Sequence, residues 1–306
     1  MKIKVTIGVC LINCEKDIKL ITKRLENQDF FHNKMEVIFV VSKSEDNTLS
    51  ELKYYAPRMN LNYKIIECKE SNLGLSRNIV LNNARGDYLV WVDDGTILPK
   101  NYIRKHIEIM ESNSNIGITS GILDIYHGSN KISIFENLSS ITDLRNLSLL
   151  DLYEKCKGIV TTKLPGTSGS VYRINAAKQV GGFDERIKGA LEDTDIAYRI
   201  MSKGWKIYRS PIRYFRDYNT DFKKVYLKKI WYGYGCHFIS HKHKGLSDIL
   251  MKSTPIAGFF QGIILLNVAY RITHRKIAFL LPVYFSLIRA FFCLGFLKSH
   301  FDSYGH

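Results

Sequence analysis

No Cys-x-x-Cys pair occurs in the chain; Cys10, Cys14, Cys68, Cys156, Cys236 and Cys293 are scattered singly. That usage excludes a disulfide framework and a paired-cysteine redox or zinc motif, and it is expected of a reducing compartment. No His-Glu-x-x-His segment is present either. The opening residues do not read as a secretory leader. The apolar run from Val5 to Ile12 is broken by Asn13 and has no small-residue cleavage site, so a first strand and a cytoplasmic start are expected. Acidic residues are scarce in one region only. The first 200 residues hold 27 basic and 25 acidic side chains, whereas residues 201–306 hold 17 and 4. The net charge of +15 therefore belongs to the C-terminal third of the 306 residues. An apolar fraction of 45% with 24% charged residues excludes disorder and a collagen-like fibre. The basic excess calls for an anionic partner: nucleic acid, a phosphorylated small molecule or membrane lipid.

What is present first is an alternation of apolar runs and helical patterns. Residues 4–12, 36–41, 62–67 and 87–92 read as strands. Helical spacing fills 15–28, with Ile18, Ile21 and Leu25 on one face, then 45–56 and 74–84. Strands separated by helices predict a mostly parallel α/β sheet covered on both faces, with ligands beyond the carboxyl ends of its strands. At those ends stand Asn13 and Glu15, then Ser42, Ser44, Asp46 and Asn47, then Ser71 and Asn72, then Asp93 and Asp94. Polar and acidic residues thus converge on one rim, as a nucleotide site requires.

Two acidic clusters carry the chemistry. Asp93-Asp94-Gly95 directly after a buried strand offers hard oxygen ligands for Mg²⁺ or Mn²⁺, or is simply a turn. Glu192-Asp193-Thr194-Asp195 opens a helix, where carboxylates either cap the first turn or aim a general base into a cleft.

Taken in order, these segments resemble the family 2 glycosyltransferases with their GT-A nucleotide-sugar fold. Asn72-Leu-Gly74-Leu-Ser-Arg77-Asn78 looks like the family's Gly-x-x-x-Arg-Asn segment near the donor nucleotide. Gly86 to Asp94 looks like the strand leading into the Asp-x-Asp metal site, and Gly166 to Arg173 like a glycine-rich acceptor segment that includes Gly169. Val180-Gly-Gly-Phe-Asp184 resembles the Gly-Gly-Phe-Asp turn, and Glu192-Asp193 the Glu-Asp motif. The match runs from about residue 3 to 235.

The resemblance implies inverting transfer from a nucleoside-diphosphate sugar. Asp193 would be the catalytic base, and Asp93 and Asp94 would hold Mg²⁺ or Mn²⁺. Asn13, Glu15, Ser42, Asn72, Arg77 and Asp93 would bind the donor, and Gly169, Glu192, Trp231 and Tyr232 would border the acceptor. For Arg77 a solvated helix position is an equal reading. Three departures stand out: Gly95 replaces the second aspartate, Ser42 stands where an aspartate reads the base, and Tyr214-Phe215-Arg216 offers no histidine.

The C-terminal third follows the transferase pattern with Trp231-Tyr232-Gly233-Tyr234-Gly235, then His237, His241 and His243, read as a cationic surface rather than zinc ligands. Two apolar stretches come next, Pro255–Tyr270 and Ile277–Leu297, with basic flanks at 242–252 and 271–276. Two spans would put one basic flank outside, against the positive-inside rule. Interfacial or re-entrant helices avoid that, although a two-span hairpin and a buried or dimerising pair remain alternatives. The expected organisation is a catalytic domain at 1–218 and a helical, membrane-associating region at 219–306, on the cytoplasmic face of the cell membrane. The expected activity adds a sugar to a lipid-linked or cell-surface glycan acceptor, with no nucleic-acid partner. The competing readings are an inactive family member that binds sugar nucleotide or a partner, and a basic nucleic-acid-binding protein.

Overall fold

The computed structural model describes residues 2–124, 135–136, 158–217, 221–243 and 254–304. Cys156, the 218–219 boundary and most of the basic flank at 242–252 lie outside the described residues. The chain divides into two compact units. One holds Met1–Asp124, Ser148–Arg186 and Glu192–Arg216; the other holds Ile125–Leu147, Ile187–Leu191 and Asp217–His306.

The first unit is built on strands β1 (Val5–Leu11), β2 (Met35–Ser42), β3 (Asn62–Cys68) and β4 (Tyr88–Trp91), with helices α1 (Ile18–Glu26), α2 (Thr48–Tyr55) and α3 (Leu73–Asn83) between them. As the alternation of patterns predicts, these four strands pair in parallel, in the order β3-β2-β1-β4. They are apolar on both faces because both faces are covered. Val5, Ile7 and Val9 pack with Ile18, Ile21 and Leu25 of α1 on one side. Ile38, Leu89 and Trp91 pack with Val80 and Leu81 of α3 on the other.

Beyond β4 the sheet is mixed. It adds β5 (Thr96–Ile97), β6 (Ile116–Asp124), β7 (Ile159–Thr161), β8 (Ser170–Arg173) and β9 (Lys206–Arg216), with α4 (Tyr102–Ser112), α5 (Ile174–Gln179) and α6 (Glu192–Ser202). β8 runs antiparallel to both β4 and β6, while β6 and β9 are parallel. Antiparallel neighbours need no crossover helix, so this half carries no repeating strand–helix signature for a sequence reading to find.

The second unit contains α7 (Phe222–Lys242), α8 (Pro255–Thr273) and α9 (Leu281–Phe301). Asp221 and Thr254 cap α7 and α8 by accepting from Lys224 N (2.7 Å) and Ala257 N (3.3 Å). α7 and α9 cross closely at Gly233 and Gly295, where a Cβ would collide with the backbone of Phe292 and Ile230. One helix among the described residues, Lys276–Phe301, is long and apolar enough to cross a membrane, and a third of its most apolar stretch is buried.

His237 is not on a surface. It is 1% exposed, and its Nδ1 lies 2.8 Å from the Tyr304 carbonyl, so the cationic-surface reading fails there. Its ring packs among His241, Phe296 and His300, which take it out of water, and the carbonyl supplies a polar partner.

Candidate functional site

The rim begins where β1 ends. Asn13 sits in the left-handed region, φ 49°, a conformation that a short amide side chain tolerates. Its Oδ1 accepts from Glu45 N at 2.8 Å and its own N–H donates to Ser44 Oγ at 3.1 Å. Glu15 N donates to Asp46 Oδ2 at 3.0 Å, and Asn47 N donates to Glu15 Oε2 at 3.0 Å. These bonds join the ends of β1 and β2. Ser42 is buried and shares a 3.1 Å hydroxyl contact with Ser76 of α3. Asn72 caps α3 by accepting from Leu75 N at 3.0 Å, while its Nδ2 donates to Glu185 O at 2.7 Å. Each expected donor residue at the first three strand ends therefore also holds the rim together.

Arg77 is the centre of the constellation. It is buried, with its side chain 5% exposed, which removes the solvated-helix reading. Its Nη1 pairs with Glu192, its Nη2 donates to Thr167 Oγ1 at 2.6 Å, and its Nη2 lies 3.9 Å from Asp93 Oδ1. The guanidinium also stands over the Trp91 and Phe183 rings, at 5.9 and 5.6 Å. Burial works against its charge, but Glu192, Asp93 and Asp193 hold it protonated and raise its pKa. Burial likewise lifts the Glu192 carboxyl above the ordinary carboxylate range, with Arg77 pulling it down and Asp193 pushing it further up. Glu192 Oε2 is buried and has no hydrogen-bond partner among the described residues.

Asp193 points elsewhere, as successive residues at a helix start do. Its Oδ2 accepts from Thr167 N at 3.3 Å and its Oδ1 from Thr194 N at 2.7 Å, and it stays partly exposed. Asp195, the third member of the cluster, is fully buried and pairs with Arg199 at 2.6 Å, so it anchors α6. Gly169 has φ +68°, and a Cβ there would meet the Tyr214 ring at 3.0 Å. The bend it permits turns the chain from Thr167 and Ser168 into β8.

Asp93 closes the group. Its Oδ2 lies 3.3 Å from Arg216 Nη2 at the end of β9, and its N–H donates to Thr96 Oγ1 at 3.2 Å. Asp94 is exposed and accepts from Gly95 N at 2.9 Å, so it closes its own turn. The expected metal pair is therefore not assembled: one carboxylate faces two guanidinium groups and the other faces solvent. No group of three or more His, Cys, Asp or Glu side chains among the described residues is arranged to hold a metal ion. With Asp93 engaged by guanidinium groups and Asp94 turned to solvent, the residues present do not offer Mg²⁺ or Mn²⁺ a preformed pair of carboxylates.

Glu192, Asp193, Arg77 and Asp93 are thus brought together with Thr167, Ser168 and Arg216, three residues that sequence reasoning did not single out. The polar run Gly166-Thr-Ser-Gly169 was a signal for the first two. For Arg216 the only signal was the missing histidine.

Trp231 and Tyr232 belong to the second unit. Trp231 Nε1 donates to Lys188 O at 3.3 Å, and Tyr232 packs edge-on against its ring with Lys228 beside it.

Comparison with known proteins adds the lineage. The chain is 30% identical over 101 residues to the poly(ribitol-phosphate) beta-N-acetylglucosaminyltransferase TarS of Staphylococcus aureus, across 33% of this chain and 18% of that one. It is 33% identical over 90 residues to the uncharacterized glycosyltransferase YfnE of Bacillus subtilis, across 29% of this chain and 23% of the other. The chain thus matches less than a quarter of the length of either relative.

Among solved structures, the mannosyltransferase PcManGT from Pyrobaculum calidifontis, in complex with GDP-Man and Mn²⁺, superposes over 99% of this chain and 88% of its own. The TM-score is 0.67 at 15% identity. S. aureus TarS 1–349 in complex with UDP-GlcNAc covers 98% and 92%, with TM-score 0.55 at 16% identity. These likenesses show the fold, a GT-A architecture. Residues 6–181, more than half of the chain, match the family described as Glycosyl transferase family 2. The chain belongs to that family.

Proposed function

We propose that this chain is an inverting glycosyltransferase that moves a sugar from a nucleoside-diphosphate donor to a hydroxyl of a lipid-linked or cell-surface glycan. The observation that carries the reading is the placement of Asp193. It is a partly exposed carboxylate held by the Thr167 and Thr194 amides beside the buried Arg77–Glu192 pair. Asp193 takes the proton of the acceptor hydroxyl as that oxygen bonds to the anomeric carbon. The bond from that carbon to the diphosphate breaks on the opposite face, and the leaving group departs with both electrons. Glu192 positions the cluster through Arg77, and Asn13, Glu15, Ser42 and Asn72 shape the donor end of the rim. The names of the relatives support a polymeric acceptor and a nucleotide-sugar donor.

The catalytic body in this proposal is 1–218, and the region from 219 onward associates with the cytoplasmic face of the membrane. Its support is an apolar face turned outward. On α8, Ile256, Phe259, Phe260, Ile263 and Ile264 are all exposed at helical spacing, and on α9 Val283, Leu287, Leu294, Leu297 and Phe301 repeat the pattern. Arg271, Arg275 and Lys276 follow the first of these faces, where anionic lipid would meet them. Arg289 within α9 donates to Gln261 of α8, so this charge amid the apolar helix is hydrogen-bonded.

A thermal-shift screen of UDP-, GDP- and dTDP-sugars tests the donor assignment. A rise in melting temperature with one nucleotide class is expected, because a ligand that binds only the native state stabilises it. No rise with any donor would contradict the assignment.

A further inference from the structure

A donor diphosphate arriving at this rim must have its charge neutralised, and the usual agent at a strand-end aspartate is a divalent ion. Here the place beside Asp93 is already taken. Arg216 Nη2 lies 3.3 Å from Asp93 Oδ2 and Arg77 Nη2 lies 3.9 Å from Oδ1. A doubly charged ion bound at Asp93 would sit within a few ångströms of both guanidinium groups and would have to displace one. It would gain little in return, because Gly95 brings no carboxylate and the exposed Asp94 is turned to solvent rather than toward Asp93.

The position of Arg216 is built rather than incidental. β5 follows the Asp93-Asp94-Gly95 turn directly and pairs antiparallel with the end of β9, with Thr96 opposite Arg216 and Ile97 opposite Phe215. Thr96 also accepts from Asp93 N and shares a 2.8 Å contact with Ser168 Oγ. One short ladder therefore sets the carboxylate and the guanidinium together. Arg216 is 22% exposed at its side chain and Asp93 28%, so both border solvent, while Arg77 behind them is 5% exposed. A guanidinium presents five N–H donors in a planar fork, a geometry that serves a carboxylate and a phosphate together.

We infer that Arg216, backed by Arg77, takes the part of the divalent cation: its guanidinium meets the donor diphosphate at Asp93, and donor binding by this chain needs no added metal. The inference rests on the donor site proposed above and deepens it by naming the group that receives the diphosphate.

The test measures the binding of UDP, GDP and dTDP to the full chain by calorimetry, once in EDTA and once in Mn²⁺ or Mg²⁺. Wild type, Arg216→Ala and Arg216→Lys are compared, with circular dichroism of each to check the fold. The expected result is one nucleotide bound with equal affinity, within about twofold, in both conditions. Arg216→Ala weakens that binding about tenfold or more, and Arg216→Lys falls between because a point charge replaces the fork. If EDTA abolishes binding and Mn²⁺ restores it, or if Arg216→Ala binds as wild type does, the inference is overturned while the donor-site reading stands. If none of the three binds in either condition, the donor-site reading fails and this inference fails with it.

Discussion

The two units differ in what they leave exposed. In the sheet unit most apolar residues are inside, and the buried Arg77–Glu192 pair lies at the rim beside the partly exposed Asp193 and Asp93, while buried Glu36 and Asp195 pair with Arg85 and Arg199 elsewhere. In the helical unit large apolar side chains face outward, with Ile256 72%, Ile264 75% and Phe301 80% exposed. One carboxylate lies inside it. Glu136 is buried, accepts from the Tyr284 hydroxyl at 2.6 Å and pairs with Lys229 at 3.1 Å. Burial would raise the Glu136 carboxyl, but Lys229, Lys228 and Tyr284 together hold it below its ordinary value. In the first unit the Arg77–Glu192 pair borders the partly exposed carboxylates of the proposed donor site. In the second Glu136 is satisfied internally, and the exposed apolar face is the one proposed above to meet lipid.

The largest effect should come from breaking the rim's buried pair. Arg77→Met leaves Glu192 buried without its partner, and unfolding in urea should show a loss of about 3–5 kcal/mol. Lys229→Met in the helical unit should cost less, because Lys228 and the Tyr284 hydroxyl still face Glu136. Equal losses would erase the contrast between the two units.

The next effect is a pH dependence of the sheet unit. His106 is fully buried, with ring nitrogens 3.1 Å from Thr119 Oγ1 and Ser210 Oγ, and burial pushes its pKa down to about 3. The unfolded chain binds the proton near pH 6.5 and the native state does not, so stability falls as the pH drops below that value. Between pH 7 and 5 the part of that loss owed to His106 should be about 2 kcal/mol, opposed by the raised Glu192 carboxyl, which takes up its proton earlier in the native state. Chemical denaturation at the two pH values should show His106→Gln losing about 2 kcal/mol less than wild type over that range.

The smallest effect sharpens the outward face. Ile264→Ser should weaken flotation with anionic vesicles roughly tenfold while leaving the melting temperature within a degree or two. A large drop in melting temperature without a change in flotation would make that face a packing surface instead.

Much of the first unit was legible in the chain. The run of four parallel strands follows from apolar segments that alternate with amphipathic helices, and each expected boundary lies within a few residues of the observed one. That the polar residues after those strands share one rim was legible for the same reason, because loops at carboxyl strand ends must face one rim. The mixed half was not legible, since short antiparallel strands such as β5 and β8 carry too few residues for a pattern. Arg216 illustrates the loss: its approach to Asp93 depends on a two-residue ladder across more than a hundred intervening residues. The depth of Arg77 was equally hidden, because only the fold brings Thr167 and Glu192 onto its guanidinium.

The most direct test of the account is release of nucleoside diphosphate from a panel of UDP-, GDP- and dTDP-sugars by the wild-type chain and by Asp193→Asn. Wild type should release one nucleotide, and Asp193→Asn should lower that rate by about 10²–10⁴-fold while binding the donor as tightly as wild type. Equal rates from the two proteins would contradict the assignment of Asp193 as the base.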